Sequence, residues 1–379
     1  MRYDALYRVR VALRGWACGR KMACFATLAA LITATGPRSA AAQQLAFAPV
    51  AEGRAAPATV APAVPASSRA PELRGIHRAR QKELVWEIGP VHLAANIAYG
   101  DVAPSVAPAA TLPVSGWLRG AETEIVGSDG RPITQQLLHH MVIYAPGKRD
   151  LSSPIMLRVA AFGAERSDIR LPGRLGYRFE AGDSLLVKAV FFNPTGAEQE
   201  AYLRVRLPYR TDRFLLPPIS IVPIGLDVAP EQGALGYEIP AGVSETSSTW
   251  NPAIPGRILA LGGHLHKYGV ALILEDVTAG KVLWRTEPTI DESGEVVEMP
   301  QSTFLARRLE IRPDHEYRLT AIYDNPTGAP ISGAMGKIGG ILLPDPGYTV
   351  PASDPLDPSY RHDLESALDS GAHSHHHHP

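Results

Sequence analysis

Ala189-Val190-Phe191-Phe192-Asn193-Pro194-Thr195-Gly196-Ala197 returns 132 residues later as Ala321-Ile322-Tyr323-Asp324-Asn325-Pro326-Thr327-Gly328-Ala329. The two stretches share their first residue and their last five. Each reads as an apolar β-run stopped by a turn: Asn bonds nearby backbone, Pro presets φ, and Gly tolerates the left-handed region. Upstream, Ala181-Gly182-Asp183 and Arg312-Pro313-Asp314 each precede a strand-like run. Turn chemistry alone can produce one such match by convergence. A second feature keeps nearly the same spacing, because the pairs His139-His140 and His264-Leu265-His266 begin 125 residues apart. The chain therefore reads as two related β-domains, each with a histidine pair on an early strand.

Working outward from the repeat, the same grammar recurs. Glu122-Thr123-Glu124-Ile125-Val126, Leu185 to Phe192 and Ala201 to Leu207 are short apolar or alternating runs bounded by Gly, Pro, Asp and Asn. With 34 Gly and 34 Pro among 379 residues, turns are plentiful, and no segment sustains a helical period over three turns. The expected fold class is all-β: two tandem antiparallel β-sandwiches, residues 84–225 and 226–350.

Flanking segments read differently. Residues 1–42 resemble an export signal: Arg14, Arg20 and Lys21 precede the apolar run Met22 to Thr35, and Ala40-Ala41-Ala42 suits cleavage near Ala42. The run is too short to span a bilayer, so the expected location is secreted or periplasmic, with no membrane contact after cleavage. Residues 43–83, rich in Ala, Pro and Ser, read as a linker. Residues 351–379 form a Pro- and Asp-rich tail ending in His373 and His375 to His378, either a native metal-scavenging segment or a neutral extension. A formal net charge of −1 implies neither a nucleic-acid nor an anionic-membrane partner. Both cysteines, Cys18 and Cys24, lie in the signal. The mature chain is thus expected to have no disulfide and no thiolate ligand.

Thirteen histidines are present, and five fall in the last seven residues. Two pairs inside apolar, strand-like sequence are therefore not a consequence of composition. Residues i and i+2 of a strand share a face, so His264 and His266 offer half of a tetrahedral metal site. A thioether as third donor would select copper over zinc. Met141, Met156, Met299 and Met335 are the methionines of the mature chain, and Met335, flanked by Gly and Ala, lies in the same half as His264. From the residues alone it is either a ligand or a gap-filling core side chain. His139 and His140, being adjacent, share a face only at a bulge or strand end. Tyr323 and Asp324 read as structural flanks of the turn, and His315 as a surface residue.

His139-His140-Met141, then Gly263-His264-Leu265-His266, then Met335 in a small-residue loop, resembles the copper type II, ascorbate-dependent monooxygenases (the peptidylglycine α-hydroxylating and dopamine β-monooxygenase group). The likeness covers roughly residues 84–350 and rests on those three motifs. It implies two tandem jelly-roll-like sandwiches with one copper each. His264, His266 and Met335 would bind the copper that meets dioxygen, and His139 and His140 the copper that stores an electron. The family's third histidine at that first copper has Val190 in its place here, and no histidine occurs between His140 and His264. Any replacement has to come from elsewhere, such as His92, His315 or the tail. The resemblance implies one or two copper ions, ascorbate or another reductant, and a small-molecule or peptide substrate hydroxylated at a C–H bond. Two rivals stand beside it: a non-catalytic periplasmic copper carrier, and a structural β-sandwich with remnant sites.

Overall fold

A computed structural model describes residues 71–97, 105–163, 167–211, 216–230, 236–304 and 309–368. The expected signal peptide, most of the linker and the tail histidines lie outside these residues. All described residues belong to one compact unit, Pro65–Pro379.

The molecule is all-β apart from one 3-10 turn and one helix among the described residues. Strands are named here by their first residue. The largest sheet runs in the order Glu72–Arg78, Glu83–Leu93, Gln199–Arg210, Gly116–Leu118, Leu175–Phe179, Ile219–Asp227, Gly336–Pro344, Gly256–Leu265 and Gln301–Thr303. Gly120–Val126 pairs with the Gln199 strand off this path. The Ile219 strand joins the halves, parallel to the Leu175 strand on one side and antiparallel to the Gly336 strand on the other. The boundary expected near residue 225 thus falls within a strand, and the two sandwiches share one sheet.

Two smaller sheets face it, and they have the same order. In the first half, Ser184–Phe191 lies between short strands at Ser105 and Ala109 and the strand Leu138–Arg149, which pairs onward with Met156–Gly163. In the second, Tyr317–Asn325 lies between Gly242–Trp250 and Gly269–Asp276, which pairs onward with Lys281–Thr286. Alternation decides what each buries. Leu185, Val187, Ala189 and Phe191 point inward in the first copy, and Tyr317, Leu319, Ala321 and Tyr323 in the second, all into a common core with Leu203, Val205, Ile338 and Leu342. The leucine, valine, isoleucine and phenylalanine side chains among them each contribute about 1.5–3 kcal/mol when fully buried.

The repeated turn is the same at the level of single bonds. Asn193 Oδ1 accepts from the Thr195 N–H (3.0 Å) and hydroxyl (2.6 Å), while its Nδ2 donates to the Ala197 carbonyl (2.9 Å). Asn325 does the same with Thr327 (3.1 and 2.7 Å) and Ala329 (2.8 Å). Both asparagines also reach back to the strand entering their half, Asn193 to the carbonyls of Leu93 and Ala94 and Asn325 to that of Pro240. Buried amides need such full satisfaction.

Two segments depart from the sequence reading. Glu72–Arg78, inside the expected linker, pairs with the Glu83 strand residue for residue. Pro358–Leu368, inside the expected tail, is a helix. Asp357 caps it through the Ser359 N–H (2.8 Å), and Pro358 takes the first helical position. Asp363 clamps the helix to the first half, pairing with Arg158 at 2.6 Å and accepting the Met156 N–H at 3.0 Å. Tyr360 and Ala367 pack on Met156 and Leu186.

Candidate metal centre

In both halves the histidines sit where the chain passes from the large sheet to a small one. The Gly256 strand ends at Leu265, the chain turns through His266-Lys267-Tyr268, and the Gly269 strand begins. The Gly269 N–H donates to the His266 carbonyl at 3.0 Å, and Tyr268 accepts a positive φ of 66° to complete the turn. Lys267 braces it from outside through Glu295 at 3.1 Å. Leu265 is buried, so alternation turns His264 and His266 to the other face.

The two rings stand with centroids 4.8 Å apart and planes at 80°, and their Nε2 atoms are 2.9 Å apart. His266 Nδ1 lies 2.6 Å from the Gly333 carbonyl. A carbonyl only accepts, so Nδ1 carries the proton and Nε2 presents its lone pair toward His264. A histidine that ligates metal is oriented in this way. His264 is held neutral: desolvation by the surrounding strands, then His266, then Lys337 bring its pKa down to about 4, although the residue is exposed to solvent. Two nitrogens each about 2.0 Å from one ion can be at most about 4 Å apart, and this pair meets that condition.

Met335 is brought to the same place by register. His264 pairs with Lys337 and Leu265 with Gly336, so one further step sets Met335 opposite His266. The Tyr323 hydroxyl ties the two together. It accepts the His266 N–H and the Met335 N–H, each at 3.1 Å, and donates to the Met335 carbonyl. Burial raises the Tyr323 pKa to about 12, so the donor proton stays in place. The other methionines are elsewhere. Met141 and Met156 are fully buried, and Met299 packs over Gly263 on the opposite face of the strand, where an added Cβ would collide with it.

His139 and His140 open the Leu138 strand at a bulge. Val190 pairs with His140 and Phe191 with Leu138, leaving His139 as the extra residue. That irregularity turns both rings toward one another, with Nδ1 atoms 2.7 Å apart. His139 also stands edge-on to Phe192 at 5.9 Å. Val190, directly across from His140, offers no donor atom. His92 is exposed near Glu200 (3.8 Å), and His315 binds Asp276 (2.8 Å) at the far end of the Gly269 strand. Among the described residues no three His, Cys, Asp or Glu side chains gather in a metal-holding group. Among the described residues a third protein ligand at either pair is therefore not a histidine, cysteine or carboxylate.

The sequence reading set Tyr323 aside as structural, and the carbonyl of Gly333 carried no signal. The usable clue for Tyr323 was internal: the first copy of the repeat has Phe191 at the same inward position, with the same ring and no hydroxyl.

No family model and no curated protein matches this sequence. Solved structures give weak likenesses. The major capsid protein P2 of bacteriophage PM2 aligns over 68% of this chain and 98% of its own at 10% identity, with a TM-score of 0.35. A peptide-N(4)-(N-acetyl-β-D-glucosaminyl)asparagine amidase aligns over 71% and 100% at 9% identity, also at 0.35. A structure of Sulfolobus turreted icosahedral virus aligns over 79% and 97% at 9% identity, at 0.34.

Proposed function

We propose that this chain is an exported copper protein of the type II monooxygenase-like group, with its working ion at His264, His266 and Met335. One observation supports the reading above others: an Nε2 pair 2.9 Å apart, oriented by a backbone carbonyl, beside a methionine clamped to the same tyrosine hydroxyl. Two imidazoles and a thioether favour Cu(I) over the harder divalent ions. Copper held there would supply one-electron chemistry toward dioxygen, for hydroxylating a C–H bond of a small or peptidic substrate with ascorbate or another reductant. The chain's own part is to keep the His264 imidazole neutral, to set the two Nε2 atoms side by side, and to leave His264 exposed to solvent, where substrate and dioxygen can arrive.

A second reading, a periplasmic copper carrier without catalysis, is favoured by Val190. Two imidazoles facing each other without a third are a weaker holder for an ion that must change oxidation state repeatedly.

Copper stoichiometry separates the readings. It is measured on a chain whose five tail histidines are changed to alanine, so that the tail does not contribute. Two tight ions, with oxygen uptake under reductant and a substrate panel, support the monooxygenase. One ion without uptake supports the carrier. No tight ion at all removes both in favour of a structural sandwich.

A further inference from the structure

Resting on the copper reading above, we infer that Tyr323 is the positioning residue of this centre: its hydroxyl holds the backbones of His266 and Met335 at one point and so sets whether the thioether reaches the ion. A phenol offers one proton and two lone pairs. All three are used here, by the His266 N–H, the Met335 N–H and the Met335 carbonyl. The two tethered residues belong to segments almost seventy positions apart in sequence, and each carries a donor of the proposed site. Methionine itself is a poor anchor, with three rotatable bonds and no strong polar contact. Gly333, two residues before it, takes a φ of 85° that leaves the backbone little local preference. The clamp supplies the fixed point that the loop lacks.

The first half argues that this hydroxyl is not there for packing. Phe191 fills the same inward position, buried as completely as Tyr323, and its sandwich closes with a bare ring. The methionine that follows its histidines, Met141, is fully buried in the core and alternates to the face opposite His140.

The test uses the full chain loaded with Cu(I). X-ray absorption of the wild type is expected to show a copper–sulfur contribution, and Tyr323→Phe to keep the nitrogen ligands and lose the sulfur. Its Cu(I) affinity should fall roughly 10–100-fold, the range for residues that orient ligands. In a Met335→Leu background the same change should produce no further loss, because the hydroxyl acts through the thioether. An undiminished sulfur signal in Tyr323→Phe, or additive losses, overturns the clamp and leaves the copper reading intact. A wild type without copper–sulfur scattering overturns both. Should Tyr323→Phe fail to fold, amide hydrogen exchange on the wild type decides: the His266 and Met335 amides should exchange slowly and together, and free exchange at either overturns the clamp.

Discussion

Val190 and His140 face each other across one rung of the first small sheet, and that rung marks the chemical difference between the halves. An aliphatic side chain there leaves the first pair with two imidazoles, whereas the second pair has Met335 one register step away. Val190→His puts an imidazole opposite His140 on the bulged edge. Copper binding at the first pair, measured without the tail histidines, is expected to tighten relative to the wild type, and an unchanged affinity would argue that the bulge holds its rings for another purpose. At this scale the candidate ligands were readable from sequence, because His and Met are uncommon and soft donors are chemically distinctive. Tyr323 was not readable. Its hydroxyl has partners fifty-seven and twelve residues away, and nothing local distinguishes a clamping phenol from a packing one.

Strand alternation, read alone, sends His139 and His140 to opposite faces. The register shift between Val190 and Phe191 overrides it, and a bulge of that kind depends on the partner strand as well as on its own. Turns are the opposite case, since their bonds close within a few residues. The Asn-Pro-Thr-Gly turn was legible in full, and both copies form the same bonds. Each asparagine is buried and bonded on both sides of its amide, at about 1 kcal/mol net per bond. Asn193→Ala and Asn325→Ala should therefore each lower stability by about 2–3 kcal/mol in denaturant unfolding. A loss below about 0.5 kcal/mol at either would show that copy of the turn to be held by its Pro and Gly alone.

At the scale of the whole molecule, the C-terminal helix and the shared sheet turn two repeats into one unit. Asp363 is the helix's main polar tether, and its loss leaves Arg158 without that carboxylate. Breaking a buried pair costs several kcal/mol, but Arg158 is about one-third exposed, so Asp363→Ala is expected to cost on the order of 2 kcal/mol. Limited proteolysis should then cut first near Pro358, before the strands are attacked; wild-type resistance there would mean that Tyr360 and Ala367 suffice. The helix is not legible in the sequence because Asp357-Pro358, here a cap and a first helical residue, is equally a loop composition. The joint at the Ile219 strand is not legible either, because a strand's own pattern does not say which neighbours flank it.

What the residues determined by themselves was local: alternating runs that become strands, a turn closed by its own side chains, and the donor atoms available to an ion. What only the folded chain decided was adjacency. Met335 lies beside His266 because the Gly256 and Gly336 strands pair in one register, and register between distant strands is set by which faces must be buried together, a property of the assembled core and not of either segment.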